Sequence, residues 1–139
     1  MAIAERILPP RFLSLIIQII ITMNLFWFQE PTVNASLPLG ASEDVKKATE
    51  TEVLVALSLS ITCNVLEMLS LFIGLSIFSY STGMISTCCH VIGSIVLAFI
   101  LLESLSVTSL WYCFAFTCIL PALVELLTVI VISRVQGGR

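Results

Sequence analysis

The chain has very little charge. Only 11% of its 139 residues are Asp, Glu, Lys or Arg, against about 25% in an ordinary soluble domain. Four stretches, Phe12–Phe28, Val53–Phe78, Ile85–Leu102 and Leu110–Ile132, contain no lysine or arginine, and together they hold two acids, Glu67 and Glu125. The net charge is −3 and the six basic residues are scattered, so no basic patch exists for a nucleic acid. There is no G-x-S-x-G, no H-E-x-x-H and no glycine-rich phosphate loop. The connections are too short to hide a catalytic loop, so the chain reads as non-enzymatic, and nothing calls for a cofactor. No cysteine lies outside the apolar stretches. That excludes a disulfide framework, and no paired C-x-x-C zinc arrangement exists. Cys63, Cys88, Cys89, Cys113 and Cys118 read as small apolar residues. Cys88 and Cys89 have no local acylation signature.

What is present is hydrophobicity: 58% of the chain, with a mean hydropathy of +1.11. A membrane-crossing helix needs about 20 mostly apolar residues, and all four stretches approach or meet that length. They are apolar all round, unlike soluble helices with a polar face. The sequence therefore predicts an all-α protein: one integral membrane domain, a four-helix transmembrane bundle surrounded by membrane lipids. A tight turn at Ser81–Gly83 is expected between the second and third spans. Residues 29–52 form the one long connection. An even number of spans puts both termini on one side. Arg6, Arg11, Arg134 and Arg139 flank that side, against Lys46 and Lys47 in the loop, which favours cytoplasmic termini and an outer loop. Trp27, Trp111 and Tyr112 then share the outer interface, with Tyr80 at the inner one. The acidic loop carries an N-glycosylation sequon at Asn34-Ala35-Ser36. A rival reading makes the first span a signal peptide cleaved near Val33-Asn34-Ala35, although its apolar run is long for one.

The polar residues inside the spans carry the sharper signal. Ala56, Ser60, Cys63, Glu67, Ser70 and Gly74 recur three or four residues apart, and so do Ala115, Cys118, Ala122 and Glu125. Small stripes let helix backbones approach closely in lipid, so both glutamates are expected on packing faces, at similar depth. A charged carboxylate there costs at least about 2.5 kcal/mol, which favours a protonated acid or a close partner. Asn64 and His90 are the candidate partners, and Pro121 frees a carbonyl one turn before Glu125. Intramembrane acids by default suggest an ion or proton path. With no intramembrane lysine or arginine and no further carboxylate to form a relay, a hydrogen-bonded clamp between helices is favoured. Glutamine is then expected to be tolerated at both sites. His90 lacks the neighbours of a metal ligand.

The order of motifs resembles a known family. Arg11-Phe12-Leu13 opens the first helix and Leu25-Phe26-Trp27 closes it. Leu37-Pro38-Leu39 lies in the loop. Leu57-Ser58 and Glu67 mark the second helix, Ile85-Ser86 and His90 the third. Trp111-Tyr112 and Leu120-Pro121-Ala122 then lead to Glu125. This pattern, from about Arg11 to Ile132, is similar to the transmembrane protein 107 family. The tail after Ile132 is less lysine-rich than that family's pattern, and the Asn34 sequon is not a family feature. The resemblance implies a component of the ciliary transition-zone membrane that works with the Meckel-syndrome protein complex. It further implies recruitment or retention of transition-zone proteins, ciliogenesis, control of ciliary membrane content, and Hedgehog signalling. The competing class is a small transporter or channel subunit using Glu67 and Glu125. A tetraspanin- or claudin-type scaffold ranks last, because the outer loop has no cysteine.

Overall fold

A computed structural model describes residues 2–73 and 80–137. The described chain is helical almost throughout: α1 (Ala2–Trp27), α2 (Glu30–Ser36), α3 (Glu43–Ile73), α4 (Tyr80–Glu103), α5 (Val107–Phe114), a π-helical turn (Ala115–Ile119) and α6 (Leu120–Gly137). Four helical segments are long and apolar enough to cross a bilayer: Arg6–Trp27, Glu43–Ile73, Tyr80–Glu103 and Val107–Val135. The all-α four-helix membrane bundle expected from the sequence is what the chain forms.

The helices run beyond the apolar stretches. Ser81–Gly83, expected as a tight turn, is the first turn of α4. Gly74 and the end of the second predicted span lie outside the described residues. Residues 29–52 are not one open loop. Polar residues after Glu43 continue α3 as helix, since Glu, Lys and Ala are good helix formers. Gly40, with φ +79°, makes the turn that precedes it; glycine adopts that left-handed conformation without a steric penalty.

The short helix α2 is tied into the bundle. Val33 is buried, and the Ser36 hydroxyl accepts a hydrogen bond from the Val107 amide at 2.8 Å. That bond satisfies one of the exposed amides opening α5, as a capping side chain would. The same hydroxyl donates to the Thr32 carbonyl at 2.9 Å. Asn34 faces outward, but the serine of its sequon has this structural role. At this end Trp111 also donates its indole N–H to Glu52 at 2.9 Å, while Trp27 and Tyr112 remain exposed.

The interior has two unlike halves. Toward α2 the core is apolar, built from Leu25, Val33, Val53, Ala56, Leu57, Leu97, Ile100, Val107 and Leu110. The other half is polar, with Arg11, Ser14, Gln18, Ser60, Asn64, Glu67, Thr82, Ser86 and His90 all buried. In lipid the hydrophobic effect does not drive helices together, so buried polar contacts and close packing hold them instead. The helix α1 packs most extensively on α4, then on α3.

The fourth span changes neighbours along its length. Its first part, α5, packs on α3 and α4, whereas α6 packs on α4 and has little contact with α3. The change of neighbours falls at the π turn just before Pro121. Proline has no N–H to continue the ladder, and π turns and prolines are the usual places where a helix is re-aimed. The extra residue in the π turn also shifts the small-residue stripe. Cys118 is buried, while Ala115 and Ala122 are exposed.

Candidate functional site

Two buried charge clusters occupy the polar half of the bundle. In the first, His90 of α4 stands between Gln18 of α1 and Glu67 of α3. Its Nδ1 lies 2.7 Å from Gln18 Oε1. An amide oxygen only accepts, so Nδ1 carries the proton and donates. On the far side, His90 Nε2 and Glu67 Oε2 are in direct hydrogen-bond contact. With Nδ1 as the donor to Gln18, a hydrogen bond between these two atoms requires one proton, on the ring or on the acid. Held by the acid, it leaves a neutral imidazole; held by the ring, it makes an ion pair. Neither form carries net charge, so the triad leaves no bare charge in hydrocarbon, although Glu67 Oε1 is buried without a hydrogen-bond partner.

In the second cluster, Arg11 Nη2 is paired with Glu125 Oε1. Ser70 Oγ lies 3.3 Å from each oxygen of the same carboxylate. Arginine keeps its proton in proteins, so this pair is ionic. Ser14, one turn on, donates to the Arg11 carbonyl at 2.9 Å. A hydroxyl pair, Thr82 and Thr128 at 2.8 Å, ties α4 to α6. Glu125 lies level with Ser70, three residues beyond Glu67, so about 4.5 Å separates the two carboxylates in depth.

Several sequence expectations stand differently in the structure. Glu67 meets His90, one of its two expected partners. Asn64, the other, bonds neither: both of its amide atoms are buried without a hydrogen-bond partner among the described residues. Its side chain points into the bundle, but its polar atoms do not reach the carboxylate. Glu125 takes Arg11 and Ser70 as partners, not a carbonyl freed by Pro121; the π turn accommodates the proline instead. Gly74 is outside the described residues. Arg11, read as a flanking charge at the membrane surface, is only 1% exposed. The helix α1 starts earlier than its apolar run, so Arg11 is carried inward to face α6. The bundle thus has an intramembrane arginine, and of the two outcomes expected for a buried acid, protonation or a close partner, Glu125 shows the close partner. Gln18 was not singled out, yet Arg11, Ser14, Gln18 and Thr22 recur at helical spacing on the buried face of α1. That stripe was the available signal.

The helices approach closely where glycine permits. A Cβ on Gly93 of α4 would lie 1.9 Å from Thr117 Cγ2 in the π turn, so α4 meets the fourth span almost backbone to side chain. Cys113 Sγ lies 3.7 Å from the Gly93 carbonyl and acts as a weak donor there. The other cysteines are free thiols as well. No group of three or more His, Cys, Asp or Glu side chains suited to a metal occurs among the described residues.

The family model described as "TMEM107: Transmembrane protein" matches residues 7–129. The chain belongs to the TMEM107 family. Relatives named transmembrane protein 107 agree with that membership along nearly their whole length. The Rattus norvegicus protein is 30% identical over 119 residues, covering 86% of this chain and 85% of its own. The Homo sapiens protein is 29% identical over 120 residues, 86% of each. The Danio rerio protein is 29% identical over 126 residues, 91% of this chain and 93% of its own. No solved structure matches the chain. Both carboxylate clusters fall inside the segment that the TMEM107 model spans.

Proposed function

We propose that this chain is a non-enzymatic component of the ciliary transition-zone membrane that recruits or retains other transition-zone proteins. On this reading it supports ciliogenesis, Hedgehog signalling and control of ciliary membrane content, and its partners are proteins of the Meckel-syndrome complex. The observation that carries the reading is membership of the TMEM107 family over residues 7–129, with relatives matched over most of both chains. The interior supports a scaffold over a conduit. Each buried carboxylate already faces a partner, His90 or Arg11. Arg11 cannot release its proton, so it cannot pass one on as a member of a relay.

Localisation tests this reading. A tagged chain in ciliated cells should concentrate between basal body and axoneme, beside a transition-zone marker. Deletion should lower the transition-zone level of membrane partners. A uniform plasma-membrane signal, with partner levels unchanged on deletion, would count against it.

The proposed orientation places both termini in the cytoplasm and residues 29–52 outside, on the balance of the three remaining flanking arginines, Arg6, Arg134 and Arg139, against two lysines. A cysteine at position 44 (Asp44→Cys) should react with an impermeant thiol reagent on intact cells, while a C-terminal tag stays protected. The opposite labelling pattern would invert the topology.

A further inference from the structure

Where the π turn packs on α3, two thiols stand against each other. Cys63 of α3 and Cys118 of the π turn are both free, and their side chains are in hydrogen-bond contact. Cys118 Sγ also lies 4.0 Å from the Ser60 carbonyl, one turn before Cys63. The π-turn side chain thus already reaches the α3 backbone. Both cysteines line a cleft of about 290 Å³ that opens where α6 parts from α3. Cys118 is buried, while Cys63 is partly exposed. The other three thiols are placed differently. Cys113 is directed at the Gly93 carbonyl. Cys88 and Cys89 follow one another on α4, one exposed and one buried.

We propose that Cys63 and Cys118 form a redox-sensitive pair, which an organic hydroperoxide converts to a disulfide joining α3 to the fourth span. A disulfide requires two backbones to come close, with Cα atoms about 4.4–6.8 Å apart. The small residues of α3 beside the pair, Ala56 and Ser60, are buried and allow such an approach. Cys63, the more exposed sulfur, attacks one oxygen of the hydroperoxide. The O–O bond breaks, the thiol proton passes to the departing alkoxide, and a sulfenic acid and an alcohol result. The Cys118 sulfur then displaces the sulfenic hydroxyl, which leaves as water with the Cys118 proton, and the S–S bond forms. Two thiols lose two electrons, and one hydroperoxide gains them. An accessible thiol beside a resolving one is the arrangement of redox-sensor cysteines. The cleft is also lined by Leu66 and Leu126, which are 59% and 56% exposed. The way in is therefore apolar, and an oxidant that partitions into lipid reaches the pair more readily than a water-borne one. The bridge ties the fourth span to α3 just before α6 departs, and it stabilises the bundle by constraining the unfolded chain.

The test treats the full chain in phosphatidylcholine nanodiscs with cumene hydroperoxide. Remaining thiols are then blocked with N-ethylmaleimide, and peptides are mapped by mass spectrometry without reduction. The bridge between Cys63 and Cys118 should dominate, and a reductant should reverse it. Hydrogen peroxide at the same concentration should form it more slowly. The oxidised chain should melt at a higher temperature than the reduced one. Cys63→Ser and Cys118→Ser should each abolish that shift, while Cys88→Ser, on the exposed face of α4, should leave it unchanged. Overoxidation of Cys63 with no bridge, bridges spread evenly over the five cysteines, or equal rates with the two peroxides would overturn the proposal. If a serine variant fails to fold, mapping and rates on the unaltered chain decide the matter alone.

Discussion

Glu125→Leu is expected to be the most destabilising change at either carboxylate. It takes the paired carboxylate away from the Arg11 guanidinium, which is only 1% exposed. Arginine cannot discharge by losing its proton. Removing one member of a buried ion pair costs roughly 3–5 kcal/mol for this reason. Glu125→Gln keeps an acceptor but not the charge, so it should also lower stability. Tolerance of glutamine, expected at both sites from the sequence, should therefore hold for Glu67 alone. There an amide can still bond neutral His90. Arg11→Leu should be milder than Glu125→Leu, because a stranded carboxylate can take up a proton and become neutral. The double variant Arg11→Leu/Glu125→Leu should recover most of the loss, since apolar residues often replace a buried pair at little or no cost. Thermal melting in detergent and steady-state abundance measure all four. A double variant as unstable as Glu125→Leu, or a single variant that melts with the unaltered chain, would contradict the pairing.

Gly93→Ala should be nearly as severe, for a steric reason. The added methyl would lie 1.9 Å from Thr117 Cγ2 and 3.0 Å from its Cβ. Thr117 is fully buried, and a β-branched side chain has few rotamers to retreat into. Overpacking of this kind costs about 1–3 kcal/mol or more. It would push α4 away from the π turn and disturb Gln18, whose Oε1 lies 3.6 Å from the same point. Gly83→Ala provides the contrast. Its methyl would meet only the flexible Ile7 side chain, at 2.8 Å, so a small shift relieves it. Thr117→Ala should partly rescue Gly93→Ala. Equal melting of the two glycine variants, or no rescue, would show that the close approach is absent.

Hydropathy alone conveyed the four spans, because lipid demands long apolar helices and leaves little freedom. Helix ends were less legible: the apolar pattern stops where the membrane stops, whereas α3 continues to Glu43 on helix propensity alone. The small stripe on α3 was readable, and it faces inward from Ala56 to Ser70. The matching stripe on the fourth span misled, because the count assumed an unbroken α-helix and the π turn inserts an extra residue. His90 was a readable partner for Glu67, being the one histidine. Arg11 was not, because a basic residue beside an apolar run reads as a surface anchor. Its burial depends on where α1 sits against α6, a tertiary property that hydropathy does not encode. The cleft was hidden for the same reason, since it exists only where α6 leaves α3.

The claim that the buried charges hold the bundle together, and do not move ions, has one direct test. It is complementation of a deletion line with Arg11→Leu/Glu125→Leu. If the pair is a clamp in a transition-zone scaffold, this double variant should accumulate, reach the ciliary base, and restore partner levels and ciliation close to those of the unaltered chain. Glu125→Leu alone should fail through low abundance. A double variant that is abundant and correctly placed, yet restores neither partners nor cilia, would contradict the clamp and favour a charge-dependent path.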